Sequence, residues 1–217
     1  MINWDKIDAV LLDMDGTLLD LSFDNFFWRE HLPVIYSRQG NIPLQQARDA
    51  LEELSESLIG TLEWYCVDHW SRVLQIDIEA IKHDIREHIR YRPHSLSFLK
   101  FLRMKNKRSI LVTNAHPKAL ELKKANLDLH SYLDKMISSH EFGLAKENAG
   151  FWHQLQEREA LNLSRCLFID DSKAVLECAR DEGVGQLLQI LHPDTTRAPN
   201  LHGEFLAIHD FDELMSL

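Results

Sequence analysis

Asp13 and Asp15 flank Met14, precede Gly16 and Thr17, and directly follow an apolar run at residues 9–12. A carboxylate at the end of a buried segment can attack an electrophilic phosphorus and form an acyl-phosphate. An acid two positions along an extended segment lies on the same side, where it can protonate a leaving oxygen and later activate water. Three further groups follow later apolar runs: Thr113 with Asn114, Lys146 within Gly143-Leu144-Ala145-Lys146-Glu147-Asn148, and Asp170 with Asp171 ahead of Ser172. Four carboxylates brought together repel one another unless a hard cation neutralises them. Mg²⁺ suits such a set, because it takes oxygen ligands and keeps waters that a phosphate oxygen can replace. Thr113 and Asn114 stand just ahead of a helix start at Pro117 and can cradle phosphate oxygens, while the Lys146 ammonium balances the charge of nucleophile and phosphate.

These groups meet only if the segments carrying them end at one rim, as the carboxyl ends of parallel strands do. Short apolar runs at residues 9–12, 109–112, 135–138, 166–169 and 187–191 read as buried parallel strands. Helical patterns lie between them. Leu96, Leu99 and Leu102 share a face before the second run, and Pro117 occupies a first-turn position. Ser172 is placed to cap a helix carrying Val175, Cys178 and Ala179, with Gly183 as its stop. Strands alternating with single helices predict an α/β fold with a doubly wound parallel sheet.

Residues 18–92 break that rhythm. Their apolar residues fall at helical spacing, as in Ala47, Leu51, Leu54 and Leu58, then Ile78, Ile81, Ile85 and Ile89. The expected organisation is an α/β core from residues 1–17 and 93–217, with an all-helical insert at 18–92.

Asp13-Met14-Asp15-Gly16-Thr17 resembles the first motif of the haloacid dehalogenase superfamily of phosphohydrolases, and Thr113-Asn114, Lys146 and Asp170-Asp171 resemble its second, third and fourth motifs. The resemblance spans nearly the whole chain and implies a Rossmann-like core with the insert as a type-one helical cap that opens and closes. It implies Asp13 as nucleophile, Asp15 as acid and base, Thr113 and Asn114 as phosphate-binding, and Lys146 as support for the phosphoenzyme. It also implies Mg²⁺, replaceable by Mn²⁺ or Co²⁺, held by Asp13, the Asp15 backbone carbonyl and Asp171, with Asp170 acting through a metal-bound water. Length, cap size and motif wording are similar to the family's bacterial purine 5'-nucleotidases acting on GMP and IMP. Sugar-phosphate phosphatases and phosphomutases share the motifs, and a non-catalytic domain binding a phosphorylated ligand or a partner is the reading from another class. Asp15 argues against carbon–halogen cleavage, since halide departure needs no proton. Phosphonatases supply a cap lysine for a Schiff base, and Lys82, alone in this insert, is expected to be solvated. The chain departs from the family pattern at Glu147 (commonly proline), Ile169 (frequently glycine) and His94 (typically glycine).

Composition narrows the partners. With 24 basic against 34 acidic residues the net charge is −10, and the insert contributes −5 of it, so no basic half exists to meet a nucleic acid polymer or an anionic membrane. A small phosphate monoester remains compatible with a local cation. Apolar residues make up 45% of the chain, enough for a core without disulfides. The start of the chain lacks the pattern of a signal peptide, and Cys66, Cys166 and Cys178 form no CxxC pair, so reduced thiols in a cytoplasmic protein are expected. The 12 histidines include no HxxxH pair, and His83 and His88 fall on different helix faces, so no histidine metal site is expected. His116 reads equally as a substrate contact or a surface loop residue. The aromatic residues Phe23, Phe26, Phe27, Trp28, Tyr36, Trp64, Tyr65 and Trp70 read chiefly as core, with base stacking as the alternative.

Overall fold

The computed structural model describes residues 2–215. After β1 (Ala9–Leu12) the chain makes only helices and turns before α6: α1 (Ser22–Phe26), α2 (Leu32–Gly40), α3 (Leu44–Glu56), α4 (Val67–Leu74) and α5 (Ile78–Asp84). Then follow α6 (Ser95–Met104), β2 (Arg108–Thr113), α7 (Pro117–Asn126), β3 (Lys135–Ser138), α8 (Ala149–Glu159), β4 (Cys166–Asp170), α9 (Lys173–Asp181), β5 (Gln186–Ile190), β6 (Leu206–Ile208) and α10 (Asp212–Met215). The strands form one sheet in the order β3-β2-β1-β4-β5-β6, with every pairing parallel. The result is the α/β, Rossmann-like arrangement, and the strand order reverses between β1 and β4. The sixth strand is not legible in the sequence: it is three residues long and its first residue, Leu206, is exposed at the sheet edge.

The two faces of the sheet follow from alternation along each strand. Val10, Leu12, Leu111, Leu167, Ile169 and Leu188 meet Phe98, Leu99 and Leu102 of α6 and Leu120 of α7. Ala9, Leu11, Ile110, Val112 and Phe168 meet Phe151, Trp152 and Leu155 of α8 and Val175, Leu176 and Ala179 of α9. Val10, Leu11 and Leu12 keep no exposed surface, so each contributes about 1.5–3 kcal/mol of burial. Pro117 opens α7, Ser172 accepts the Val175 N–H at the start of α9, and Gly183 follows its end at φ +85°, as the sequence predicts.

Within the helical region, α1 and α2 are joined by a π-helical turn at Phe27–His31, just ahead of Pro33. Pro33 has no N–H to give and its ring crowds the preceding turn, so the helix widens there. Ala47 and Leu51 are buried as their spacing predicts, but Leu54 is 37% exposed. The isoleucine series departs from one helix face: α5 ends at Asp84, and Ile85 and Ile89 reach the core from outside regular α-helix. Lys82 corrects the expectation of a solvated lysine, being only 3% exposed. The segments entering and leaving the helical region lie side by side. Arg92 N–H donates to the Leu18 carbonyl, Asp20 N–H donates to Arg90, and Leu19 bridges Tyr91. The buried Arg92 guanidinium donates to the carbonyls of Thr17, His192 and His209 at 3.0, 3.0 and 2.7 Å, which ties this junction to the sheet. Beyond it, His94 adopts the left-handed conformation, φ +57°, that explains why glycine is usual at such a position.

Candidate active site

Strand register assembles the rim. Leu12 pairs with Leu111 on one side and Ile169 on the other, so one step further along Asp13 stands beside Asp170, with Thr113 at the end of β2. The Asp13 N–H donates to the Ile169 carbonyl at 3.0 Å and extends the ladder past β1. The chain then turns sharply: Leu19 N–H donates to Met14 and Gly16 N–H to Leu19. Gly16 sits at φ +91°, and a Cβ there would come within 2.7 Å of the Asp171 carboxyl. Glycine is therefore required both by the backbone and by the approach of Asp171.

Lys146 is 2% exposed and its Nζ donates to Asp13 Oδ1 at 2.6 Å, Asp170 Oδ2 at 2.7 Å and the Val112 carbonyl at 3.2 Å. Its backbone is fixed as well: the N–H donates to Asn114 Oδ1 and the carbonyl accepts from Trp152 Nε1. Burial opposes the ammonium, but Asp13 and Asp170 outweigh it and raise its pKa. Asp13 is pushed up to about 7 by burial, with Lys146 pulling the other way and Asp170 adding repulsion. Asp171 is raised well above the ordinary carboxylate range by burial and by the Asp170 and Asp13 charges. Carboxylate oxygens of Asp13, Asp170 and Asp171 lie within 4.8 Å of one another. Three crowded carboxylates sharing one ammonium, with an oxygen-only donor set, fit a hard divalent cation such as Mg²⁺.

Asp15 pairs with a different ammonium. Its Oδ1 accepts from Lys123 Nζ at 2.6 Å, and the same ammonium donates to Asp24 Oδ2 at 2.7 Å. Asp24 Oδ1 in turn accepts from Lys82 Nζ at 2.7 Å, and Lys82 lies over the Phe23 and Phe27 rings. A buried line of alternating charge thus runs from Asp15 into the helical region. Burial raises Asp15 to about 6 against the pull of Lys123, whereas two ammonium neighbours overcome burial and hold Asp24 low. Neither Lys123 nor Asp24 carried a signal in the sequence, because a buried lysine in a polar helix looks like any solvated one. For Lys82, the burial that defeats the solvation argument also supplies an ion pair, which occupies the amine that a Schiff base would need.

Asp13, Asp15, Thr113, Asn114, Lys146, Asp170 and Asp171 all line one cavity of about 870 Å³ between the sheet rim and the helical region. Thr113 and Asn114 are buried there, and Thr113 Oγ1 accepts the Ala115 N–H. The opposite wall includes Trp28, from the π-helical turn, with Trp64, Tyr65 and Trp70. Phe23, Phe27 and Trp70 are buried core residues, Phe26 is 37% exposed, and Trp28, Trp64 and Tyr65 are partly buried. His116 is neither a free surface residue nor plain core. It accepts the Lys118 N–H ahead of α7 and lines the cavity.

Glu147, where the family commonly has proline, joins the two walls. Its Oε2 accepts from Asn114 Nδ2 at 2.9 Å and its Oε1 from the Tyr65 hydroxyl at 2.6 Å. Burial and the Glu147 charge push the Tyr65 phenol upward, so it stays a donor. The departure at Glu147 was visible in the sequence; its partner Tyr65 was visible only as one aromatic among many.

Comparison with known proteins agrees with this architecture. The family model for haloacid dehalogenase-like hydrolases matches residues 7–183. The chain is 37% identical over 214 residues to the GMP/IMP nucleotidase YrfG of Escherichia coli, covering 99% of this chain and 96% of that protein. It is 20% identical over 196 residues to a phosphorylated carbohydrates phosphatase of Thermotoga maritima, covering 86% of each. Among solved structures, a haloacid dehalogenase-type phosphatase from Thermococcus onnurineus superposes with a TM-score of 0.79 at 20% identity, covering 97% of both chains. With the motif residues gathered at the carboxyl rim and the family matched over most of its length, the chain belongs to the haloacid dehalogenase-like hydrolases.

Proposed function

We propose that the protein is a Mg²⁺-dependent phosphomonoester hydrolase acting on purine 5'-nucleotides, GMP and IMP foremost, with residues 18–92 as a cap over the site. The observation that carries the chemistry is the Lys146 ammonium held between Asp13 and Asp170 beside Asp171, in a cavity that Asp15, Thr113 and Asn114 also line. The nucleotide preference rests on the similarity to the GMP/IMP nucleotidase and on the aromatic wall facing the rim.

In this reading Thr113, Asn114 and Lys146 hold the phosphate oxygens, and an Asp13 carboxylate oxygen attacks phosphorus. The bond from phosphorus to the ester oxygen breaks, and that oxygen takes a proton from Asp15, whose raised pKa keeps a proton available near neutrality. The Asp15 carboxylate then takes a proton from water, the water oxygen attacks phosphorus, and the bond to Asp13 breaks to release phosphate. Asp13, the Asp15 backbone carbonyl and Asp171 would hold Mg²⁺, with Asp170 acting through a bound water. When bound, Mg²⁺ supplies positive charge against the crowded carboxylates and the phosphoryl oxygens. Mn²⁺ and Co²⁺, which accept similar oxygen donors, would substitute.

The test is phosphate release with Mg²⁺ from GMP, IMP, AMP, pyrimidine monophosphates and sugar phosphates, with and without chelator. Preferential turnover of GMP and IMP, abolished by chelator, supports the assignment. Turnover confined to sugar phosphates keeps the reaction and overturns the substrate. No turnover by folded protein overturns both.

A further inference from the structure

Away from the carboxylate rim, the fold brings together three residues that lie far apart in the sequence. Cys66 precedes α4 on the helical side of the cavity, His116 precedes α7, and His140 follows β3. One ligand atom from each, the thiol sulfur and one ring nitrogen per imidazole, lies within 4.8 Å of the other two. The two rings meet edge to face at 4.9 Å. His140 Nε2 is buried and has no hydrogen-bond partner. A bare, buried ring nitrogen is a position that a metal ion can occupy. An orphaned buried nitrogen is otherwise a cost to the fold. Asp68 Oδ2 stands 3.7 Å from His116 Nε2, near enough to orient that ring or to supply an oxygen. His116 Nδ1 accepts the Lys118 N–H at 3.4 Å, a long contact that metal binding by this ring would replace.

We propose that Cys66, His116 and His140 form a Zn²⁺ site that ties the helical region to the sheet side of the cavity and slows turnover when occupied. One thiolate and two imidazoles are the donor set of a borderline-soft, tetrahedral ion rather than of Mg²⁺. Zinc bonds of about 2.0–2.3 Å require donor atoms roughly 3.4–3.7 Å apart, so a contraction of no more than about 1.4 Å brings the three donors to bonding distance. On binding, Cys66 releases its proton to solvent and the sulfur lone pair forms the metal bond. Because His116 follows Asn114 by two residues and both line the cavity, the site abuts the phosphate-binding end proposed above. Metal binding stands independently of the proposed nucleotide chemistry; the inhibition rests on the insert moving as a cap during turnover.

Metal-stripped protein in Mg²⁺ buffer is titrated with Co²⁺ and then with Zn²⁺. The expected result is a thiolate-to-cobalt charge-transfer band in the wild type and in Cys178→Ser, absent from Cys66→Ser and His140→Ala, and displaced by one equivalent of Zn²⁺. A Co²⁺ ion at the carboxylate rim gives no such band. Zn²⁺ should inhibit the wild type, and both site variants should bind it at least ~10-fold more weakly while hydrolysing substrate normally without it. Alkylation of wild-type cysteines, mapped by mass spectrometry, gives a readout that needs no variant: one equivalent of Zn²⁺ should protect Cys66 selectively. Absence of the band or unprotected Cys66 in the presence of Zn²⁺ would overturn the site, and equal Zn²⁺ inhibition of all variants would overturn its effect on turnover.

Discussion

At the strand ends, Asp13 and Asp170 are positioned by backbone register, and Lys146, from the loop ahead of α8, is held between them by ion pairs, all three at most 6% exposed. Across the cavity, Trp28, Trp64 and Tyr65 come from turns between short helices, and Tyr65 reaches the rim through one hydroxyl–carboxylate bond to Glu147. The first wall is built for geometry, since an attacking oxygen and its counter-charges must hold position to a fraction of an ångström. The second offers apolar, stackable area. On the proposed function, reaction and selection are thereby separated: changes at the rim should act on the chemical step, and changes on the helical wall should act on substrate preference.

The largest effect is expected at the proposed nucleophile. Asp13→Asn should lower kcat by about 10³-fold or more while the protein stays folded, as phosphate release and a melting curve will report. Gly16→Ala should follow. The Cβ meets the Asp171 carboxyl at 2.7 Å and the backbone leaves the left-handed region, a strain of about 1–3 kcal/mol, so Mg²⁺ titration of activity should shift to higher concentration. On the other wall, Trp28→Ala and Trp64→Ala should raise KM for GMP by about 10-fold and leave ribose 5-phosphate unaffected, because a base–aromatic stack contributes about 1–3 kcal/mol. An equal loss on both substrates would break the proposed division. Tyr65→Phe removes one hydrogen bond between the walls and should cost about fivefold in kcat/KM.

The smallest effect is thermal and pH-dependent. In metal-free protein, Asp13 is raised to about 7 and Asp171 is also raised, so the folded state holds protons that the unfolded state gives up near pH 4. The unfolded state then binds fewer protons, so the stabilisation from these two groups is full near pH 4 and is lost as pH rises towards 7, while the lowered His140 works in the opposite direction. Melting temperature without metal should decline by a few degrees across this window, and Mg²⁺ should stabilise more at pH 8 than at pH 5. A metal-free protein that stabilises with rising pH would contradict the crowded-carboxylate account.

Much of the rim was legible in the sequence because each of its groups follows a buried apolar run, and parallel strands deliver such positions to one edge. The helical region was legible in type but not in contacts. Ile85 and Ile89 continue a helical spacing past the end of α5, since apolar periodicity cannot report where hydrogen bonding stops. Lys82, Lys123 and Asp24 form a buried charge line whose members are separated by up to 99 positions, a pairing that no local pattern encodes. Cys66, His116 and His140 went unseen for the same reason: spacing along one helix is the wrong coordinate for groups brought together by three separate turns.

The most direct test of the central claim is to quench the enzyme with acid during turnover of GMP labelled in its phosphate and to map the label on the protein. The account predicts a labile acyl-phosphate on the peptide carrying Asp13, formed with Mg²⁺ and absent from Asp13→Asn. Full turnover with no label ever appearing on the protein, or label on another residue, would contradict it.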